Sequence, residues 1–168
     1  VLAGVILAGR VGGGLTAELG TMRVTEQLDA LRAMGADPVR VLVVPRFLAC
    51  VLLIPMLVIY ANFFGILGGF VVSVHIYGVD AGGFWANATD VAGWDVFTGL
   101  FKSVFFGAVT CLICCYKGFR CRAGAAGVGR ACTESFVASC MGILSLDFFL
   151  GLLLNTIYER FYGTSSIF

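Results

Sequence analysis

Three ionisable side chains lie inside long apolar runs of this sequence: Arg10 in "VLAGVILAGRVGGG", Lys102 in "FTGLFKSVFF" and Asp147 in "GILSLDFFLGLLL". A charge at the centre of a membrane-spanning helix costs at least ~2.5–3.5 kcal/mol on insertion scales, so such groups usually face a cavity or a partner. Asp147 has a short stem and must be satisfied by protein or by water in a cavity. Lys102 lies about a turn and a half inside its run and has a second option, extending its stem to the membrane surface. In a cavity, Lys102 offers a positive point charge. Asp147 can then balance basic neighbours, Arg10 among them.

Other reactive groups form no constellation. Cys111, Cys114 and Cys115 lie in "TCLICCYKG", with Cys50 and Cys140 in similar apolar surroundings, and the single histidine, His75, is far from them in sequence. The expected role of these cysteines is small, polarizable helix packing rather than a disulfide or a metal site. "GRVGGG" lacks the order of a dinucleotide fingerprint, and no H-E-x-x-H, Ser-His-Asp set or P-loop is present. No catalytic residue, metal or cofactor is expected. If the protein moves something uphill, the energy must come from another chain.

The elements that must position these charges are membrane helices. The chain has 168 residues, 60% hydrophobic and 12% charged, with a mean hydropathy of +0.98. A soluble domain of this length needs a far more polar surface. The net charge of +1 carries little information, and no nucleic-acid partner is expected. The opening "VLAGVILAGR" has no basic region before its apolar run and is not a signal peptide as it stands. The expectation is a chain that starts inside a helix, N-terminally truncated. Four apolar stretches stand out: 1–19, 47–74, 97–116 and 136–158. A crossing needs about 20 residues, so the fold class is all-α, a polytopic membrane helix bundle with four transmembrane helices in one unit, 1–168. Pro55 is expected to kink the second span. Gly9, Gly12, Gly13 and Gly14, and the G-x-x-x-G of Gly65 and Gly69, are expected at close helix crossings.

Charge placement sets the orientation. Residues 20–46 carry four arginines, 75–96 carry no Lys or Arg, and 117–135 carry Lys117, Arg120, Arg122 and Arg130. By the positive-inside rule, 20–46 and 117–135 are cytoplasmic and the connector 75–96 lies on the other side. There Tyr77, Phe84, Trp85 and Trp94 suit an interfacial aromatic belt, and "DAGGFWANATDVAGW" suits a short surface helix.

One polar segment stands between the first two spans. In "TMRVTEQLDALRAMGADP", Thr25 is the expected N-cap and Glu26 falls in the first turn, where the helix dipole favours negative charge. Val24, Leu28, Leu31 and Met34 form an apolar stripe. Asp29 and Arg32 are three apart and can pair weakly. Gly35 suits the C-terminal cap, and Asp37-Pro38 stops the helix. A helix over 25–35 with both an apolar stripe and acidic groups suits a protein groove better than anionic lipid headgroups.

"AGRVGGGLTAELGTMRVTEQLDALRAMGADPVRVLVVPRFLA" and "FKSVFFGAVTCLICCYKGFRCRAGAAGVGRACTESFVAS…LDFFL" resemble the MlaE permease family, membrane subunits of lipid-trafficking ABC transporters that work with MCE-domain proteins. The resemblance implies five spans in the full protein, with the last four here. It implies an inner-membrane homodimer bound to cytoplasmic ABC ATPase subunits and to a periplasmic MCE-protein ring, with a phospholipid in a central cavity. An R-E-L-G-P motif would lie just before Val1, and the tail "ERFYGTSSIF" runs beyond the family's pattern. The implied ATPase-coupling residues are Glu26, Gln27, Leu28, Asp29, Leu31 and Arg32, and the lipid cavity takes Lys102, Asp147 and Arg10. Two other classes stay open: a stand-alone secondary transporter or channel using the intramembrane charges, and a lipid-acting membrane enzyme. The first leaves the 25–35 helix unexplained, and the second lacks a nucleophile–base set.

Overall fold

In a hydrocarbon environment every backbone amide must be bonded within its own segment, so apolar runs of this length become helices. The computed structural model, which describes residues 1–89 and 93–162, contains only helices among the described residues. In chain order they are α1 (Leu2–Val24), α2 (Gln27–Ala33), α3 (Val39–His75), α4 (Ala81–Thr89), α5 (Gly93–Phe119) and α6 (Ala125–Tyr162). α1 contains a π-helical stretch, Ala8–Gly12, and α3 opens with another, Val39–Val43. The four stretches Leu2–Val24, Val39–His75, Asp95–Phe119 and Ala125–Ile157 are each long and apolar enough to cross a membrane. Each covers one of the four apolar runs of the sequence to within one residue.

The helices outlast the apolar runs. α3 begins eight residues before the apolar stretch at 47, and α6 begins eleven before the stretch at 136. Lipid sets where side chains must become polar, but helical hydrogen bonding continues until a breaker intervenes. Asp37 starts α3: its Oδ1 accepts the Val39 N–H at 3.0 Å. α3 runs through Pro55 without ending.

α5 is the central helix and touches α1, α3 and α6. Lipid offers no hydrophobic drive for helices to associate, so close approach through small residues does that work. A Cβ added at Gly12 would lie 2.8 Å from Cys114 Sγ, one at Gly118 2.7 Å from Leu19 Cβ, and one at Gly107 3.0 Å from the Cys50 carbonyl. Gly9 meets Phe136, but Gly13, Gly14, Gly65 and Gly69 face open space among the described residues. All seven cysteines are free, and Cys50, Cys111, Cys114 and Cys115 are buried in the packing. A hydroxyl network reinforces the crossing: the buried Thr16 hydroxyl can give its one proton to the Gly12 carbonyl at 3.0 Å or to Ser135 Oγ at 2.9 Å, and Ser135 donates to the Cys132 carbonyl at 2.8 Å.

The two basic connectors share one end of the bundle. Cys121 Sγ contacts the Gly20 carbonyl at 3.5 Å, and Gly20 packs on Val128. At the opposite end α4 is the short helix expected from the sequence. Asp80 Oδ2 accepts the Gly83 N–H at 3.1 Å, and Phe84 and Trp85 pack on Phe70 of α3 with ring centroids 5.4 and 5.8 Å away. Tyr77 and Trp85 are exposed. Asp90, the side chain of Trp94 and the tail from residue 163 lie outside the described residues.

Candidate functional site

α5 and α6 are antiparallel neighbours, and this brings Lys102 and Asp147 face to face although they are 45 positions apart. Lys102 Nζ donates to Asp147 Oδ1 at 2.9 Å, with the two side chains 21% and 30% exposed. Lys102 lies seven residues into the Asp95–Phe119 span, about 10 Å at the helical rise. It turns inward to Asp147 instead of snorkelling. Gly151 leaves it room, since a Cβ there would sit 3.4 Å from Nζ. The pairing removes the net charge from the span while leaving both groups partly accessible. Such a pair can exchange its internal bond for one to a polar ligand.

Arg10 does not join this pair. It lies on an exposed face of α1 and has no ion pair among the described residues. Within this chain Asp147 takes its cation from the adjoining helix, α5. Arg10 sits inside the π-helical stretch Ala8–Gly12, a local irregularity frequent at functional positions.

The polar segment between α1 and α3 folds differently from its sequence reading. Thr25 does not cap α2. Its hydroxyl bonds back to the Thr21 carbonyl at 2.9 Å and closes α1. Glu26 is not in the first turn. It occupies the N-cap position with φ 59°, a left-handed conformation that costs a side-chain-bearing residue roughly 1–2 kcal/mol, and its side chain makes no capping bond. The helix is therefore Gln27–Ala33, shorter than the expected 25–35. A Thr hydroxyl can serve the helix behind it as readily as the one ahead, and the backbone reversal at Glu26 decides between them.

The other end matches the sequence. Gly35 has φ +77°, its N–H bonds to the Arg32 carbonyl at 2.9 Å, and the Ala36 N–H bonds to the Leu31 carbonyl at 3.2 Å. This is a Schellman cap. Asp29 and Arg32 pair at 3.3 Å with both side chains more than half exposed, a contact worth a few tenths of a kcal/mol.

The apolar stripe of α2 turns toward its own bundle. Leu28 is 1% exposed and Leu31 half-buried, while Met34 is 74% exposed. Leu28 therefore does not remain available for a partner's apolar slot; it anchors α2. Glu26, Gln27, Asp29 and Arg32 are exposed.

The pair that ties α1 to α3 escaped the sequence reading. Arg46 Nη2 meets Glu18 Oε1 at 2.8 Å, tying α3 to α1 across the base of α2. Arg46 is 15% exposed, and its Nη1 is buried with no hydrogen-bond partner among the described residues. The available signal was a lone acidic residue closing the first apolar run and an arginine opening the second.

The match to known proteins covers the same elements. Residues 1–153 match the family described as Permease MlaE. The chain is 44% identical to a probable ABC transporter permease protein of Synechocystis over 92% of its own length and 59% of the relative's. It is 39% identical to the intermembrane phospholipid transport system permease protein MlaE of Haemophilus influenzae, over 89% of this chain and 58% of that one. It is 37% identical to the chloroplastic protein TRIGALACTOSYLDIACYLGLYCEROL 1 of Arabidopsis thaliana, over 89% of this chain and 43% of that one. The chain thus spans less than three fifths of the length of these relatives.

Proposed function

Because this multi-pass membrane chain belongs to the MlaE permease family, we propose that it is the membrane part of an ABC transporter subunit. It moves phospholipid or a related lipid between the inner membrane and a periplasmic MCE-domain partner. A separate cytoplasmic ATPase supplies the energy, and the working permease is a homodimer. This chain then performs no hydrolysis itself.

The observation that carries the reading is α2: a short helix anchored by one buried leucine, with its charged face outward, between two spans. Residues 20–46 and 117–135 are cytoplasmic and 75–96 periplasmic, as the basic residues require. Glu26, Gln27, Asp29 and Arg32 then form the surface that meets basic and polar groups of the ATPase, while Leu28 and half-buried Leu31 fix α2 to the permease. Closure of the ATPase pair moves α2, and the Glu18–Arg46 bridge passes that movement to α1 and α3 together. The lipid headgroup binds near Lys102, which trades part of its bond with Asp147 for the phosphate. A solitary transporter leaves the outward acidic face of α2 without a role.

The test is charge reversal, Glu26→Lys with Asp29→Lys, at two exposed positions. We expect loss of ATPase co-purification with membrane insertion retained. Normal ATPase binding and lipid transport in this double variant would overturn the assignment.

A further inference from the structure

Away from both sites, a cavity of about 260 Å³ opens where α5 ends and α6 begins. Its volume corresponds to roughly nine waters. Its charged walls are Lys117, Arg120, Arg122 and Arg130, against the single carboxylate of Glu134. Four cations and one carboxylate leave three positive charges.

The carboxylate is already committed. Glu134 bonds Lys117 at 3.0 Å and Arg130 at 3.0 Å. Arg120 and Arg122 have no carboxylate partner among the described residues. Arg120 is nevertheless held in place, its guanidinium 4.7 Å above the Tyr116 ring. Arg122 is brought in by the loop: a side chain at Gly127 would collide with the Arg122 carbonyl, so only glycine lets that backbone lie against the first turns of α6.

A second, apolar groove of about 330 Å³ adjoins the cavity and shares Lys117 and Glu134 with it. It continues along α6 past Val137, Ala138 and Met141. Val137 and Met141 are exposed, four residues apart on one helix face. The two hollows together have the polarity of a lipid: a cationic recess at the membrane surface and an apolar track leading inward from it.

We propose that this composite hollow binds one anionic phospholipid, its phosphate against Arg120 and Arg122 and one acyl chain along Val137, Ala138 and Met141. Basic recesses between membrane helices on the cytoplasmic side suit such headgroups. The site is separate from the Lys102–Asp147 pair. Lys117 lies fifteen residues further along α5 than Lys102, about 22 Å at the helical rise. An acidic protein surface would satisfy the arginines but leave the adjoining groove unused, which favours lipid. Binding here requires neither ATP nor transport, so it is tested independently of the transport reading, which supplies only the leaflet.

The experiment uses the purified protein in neutral micelles. Retention of dioleoylphosphatidylglycerol and of dioleoylphosphatidylcholine, which carry the same chains, is measured by native mass spectrometry. The protein should prefer the anionic lipid, and added salt should reduce the preference. Arg120→Gln with Arg122→Gln, both at exposed positions, should weaken retention of the anionic lipid roughly 30-fold, the effect of two surface arginines. Arg120→Lys with Arg122→Lys should restore most of it. Ala138→Trp, which fills the groove, should also weaken retention with the arginines intact.

Equal retention of the two lipids, or an unchanged preference in the double glutamine variant, would overturn the site. Displacement of the anionic lipid by millimolar inorganic phosphate, with Ala138→Trp silent, would assign the recess to free phosphate and refute the lipid. Loss of ATPase co-purification in the glutamine variant with lipid retention unchanged would make it a protein-docking surface instead.

Discussion

Among the described residues, two ion pairs each join two long helices at under 3 Å, and their surroundings set them apart. Lys102–Asp147 lies about 10 Å inside the α5 span by helical rise, with both partners mostly buried. Glu18–Arg46 lies near the end of the bundle that carries the basic connectors, its arginine 15% and its glutamate 56% exposed. In the first pair each charge protects the other from lipid, and the short-stemmed Asp147 has no inexpensive alternative. In the second the glutamate can return to water, and only the arginine depends on its partner. Depth therefore makes the first a poised site and the second a fastener.

Asp147→Ala should produce the largest effect, because it leaves a partly buried ammonium in the span without its counter-charge. We expect a loss of about 3 kcal/mol in stability together with lost lipid transport. Lys102→Met with Asp147→Leu separates the two: two apolar groups should recover the stability, while transport stays absent. Thermal unfolding in micelles and a lipid-transfer assay read these outcomes, and full transport by the paired variant would remove the pair from any functional role.

Glu18→Gln should be milder, about 1 kcal/mol, since Arg46 keeps a polar neighbour. If α1 and α3 move together, this variant should also uncouple ATP hydrolysis from transport. A loss as large as that of Asp147→Ala would erase the distinction between site and fastener.

Asp29→Asn, at the exposed pair on α2, should change stability by no more than about 0.5 kcal/mol. A larger change would mean that α2 is held by its charges rather than by Leu28.

Much of the fold is legible in the residues. The four spans follow from apolar runs long enough to cross, and Gly35 marks the end of α2 because φ +77° suits glycine. Asp80 and the aromatic run after it mark α4. Helix beginnings are less legible. Val39 and Ala125 open α3 and α6 well outside the apolar runs, because helical hydrogen bonding does not depend on lipid. Thr25 was read forward and bonds backward, since its hydroxyl fits either helix and only the backbone at Glu26 distinguishes them. The small-residue pattern is legible in kind but not in place: Gly12 packs tightly, while Gly65 and Gly69 meet nothing among the described residues.

By itself the sequence determined that Lys102, Asp147 and Arg10 are exceptional, because the cost of a charge in lipid is a property of the residue and of its depth along the chain. It could not determine which of them meet. Partnership depends on which faces of which helices come together, and that is set by packing contacts as distant in sequence as Gly12 with Cys114 and Gly107 with Cys50. The tertiary structure therefore paired Asp147 with Lys102, left Arg10 on an outer face, and joined Glu18 to Arg46.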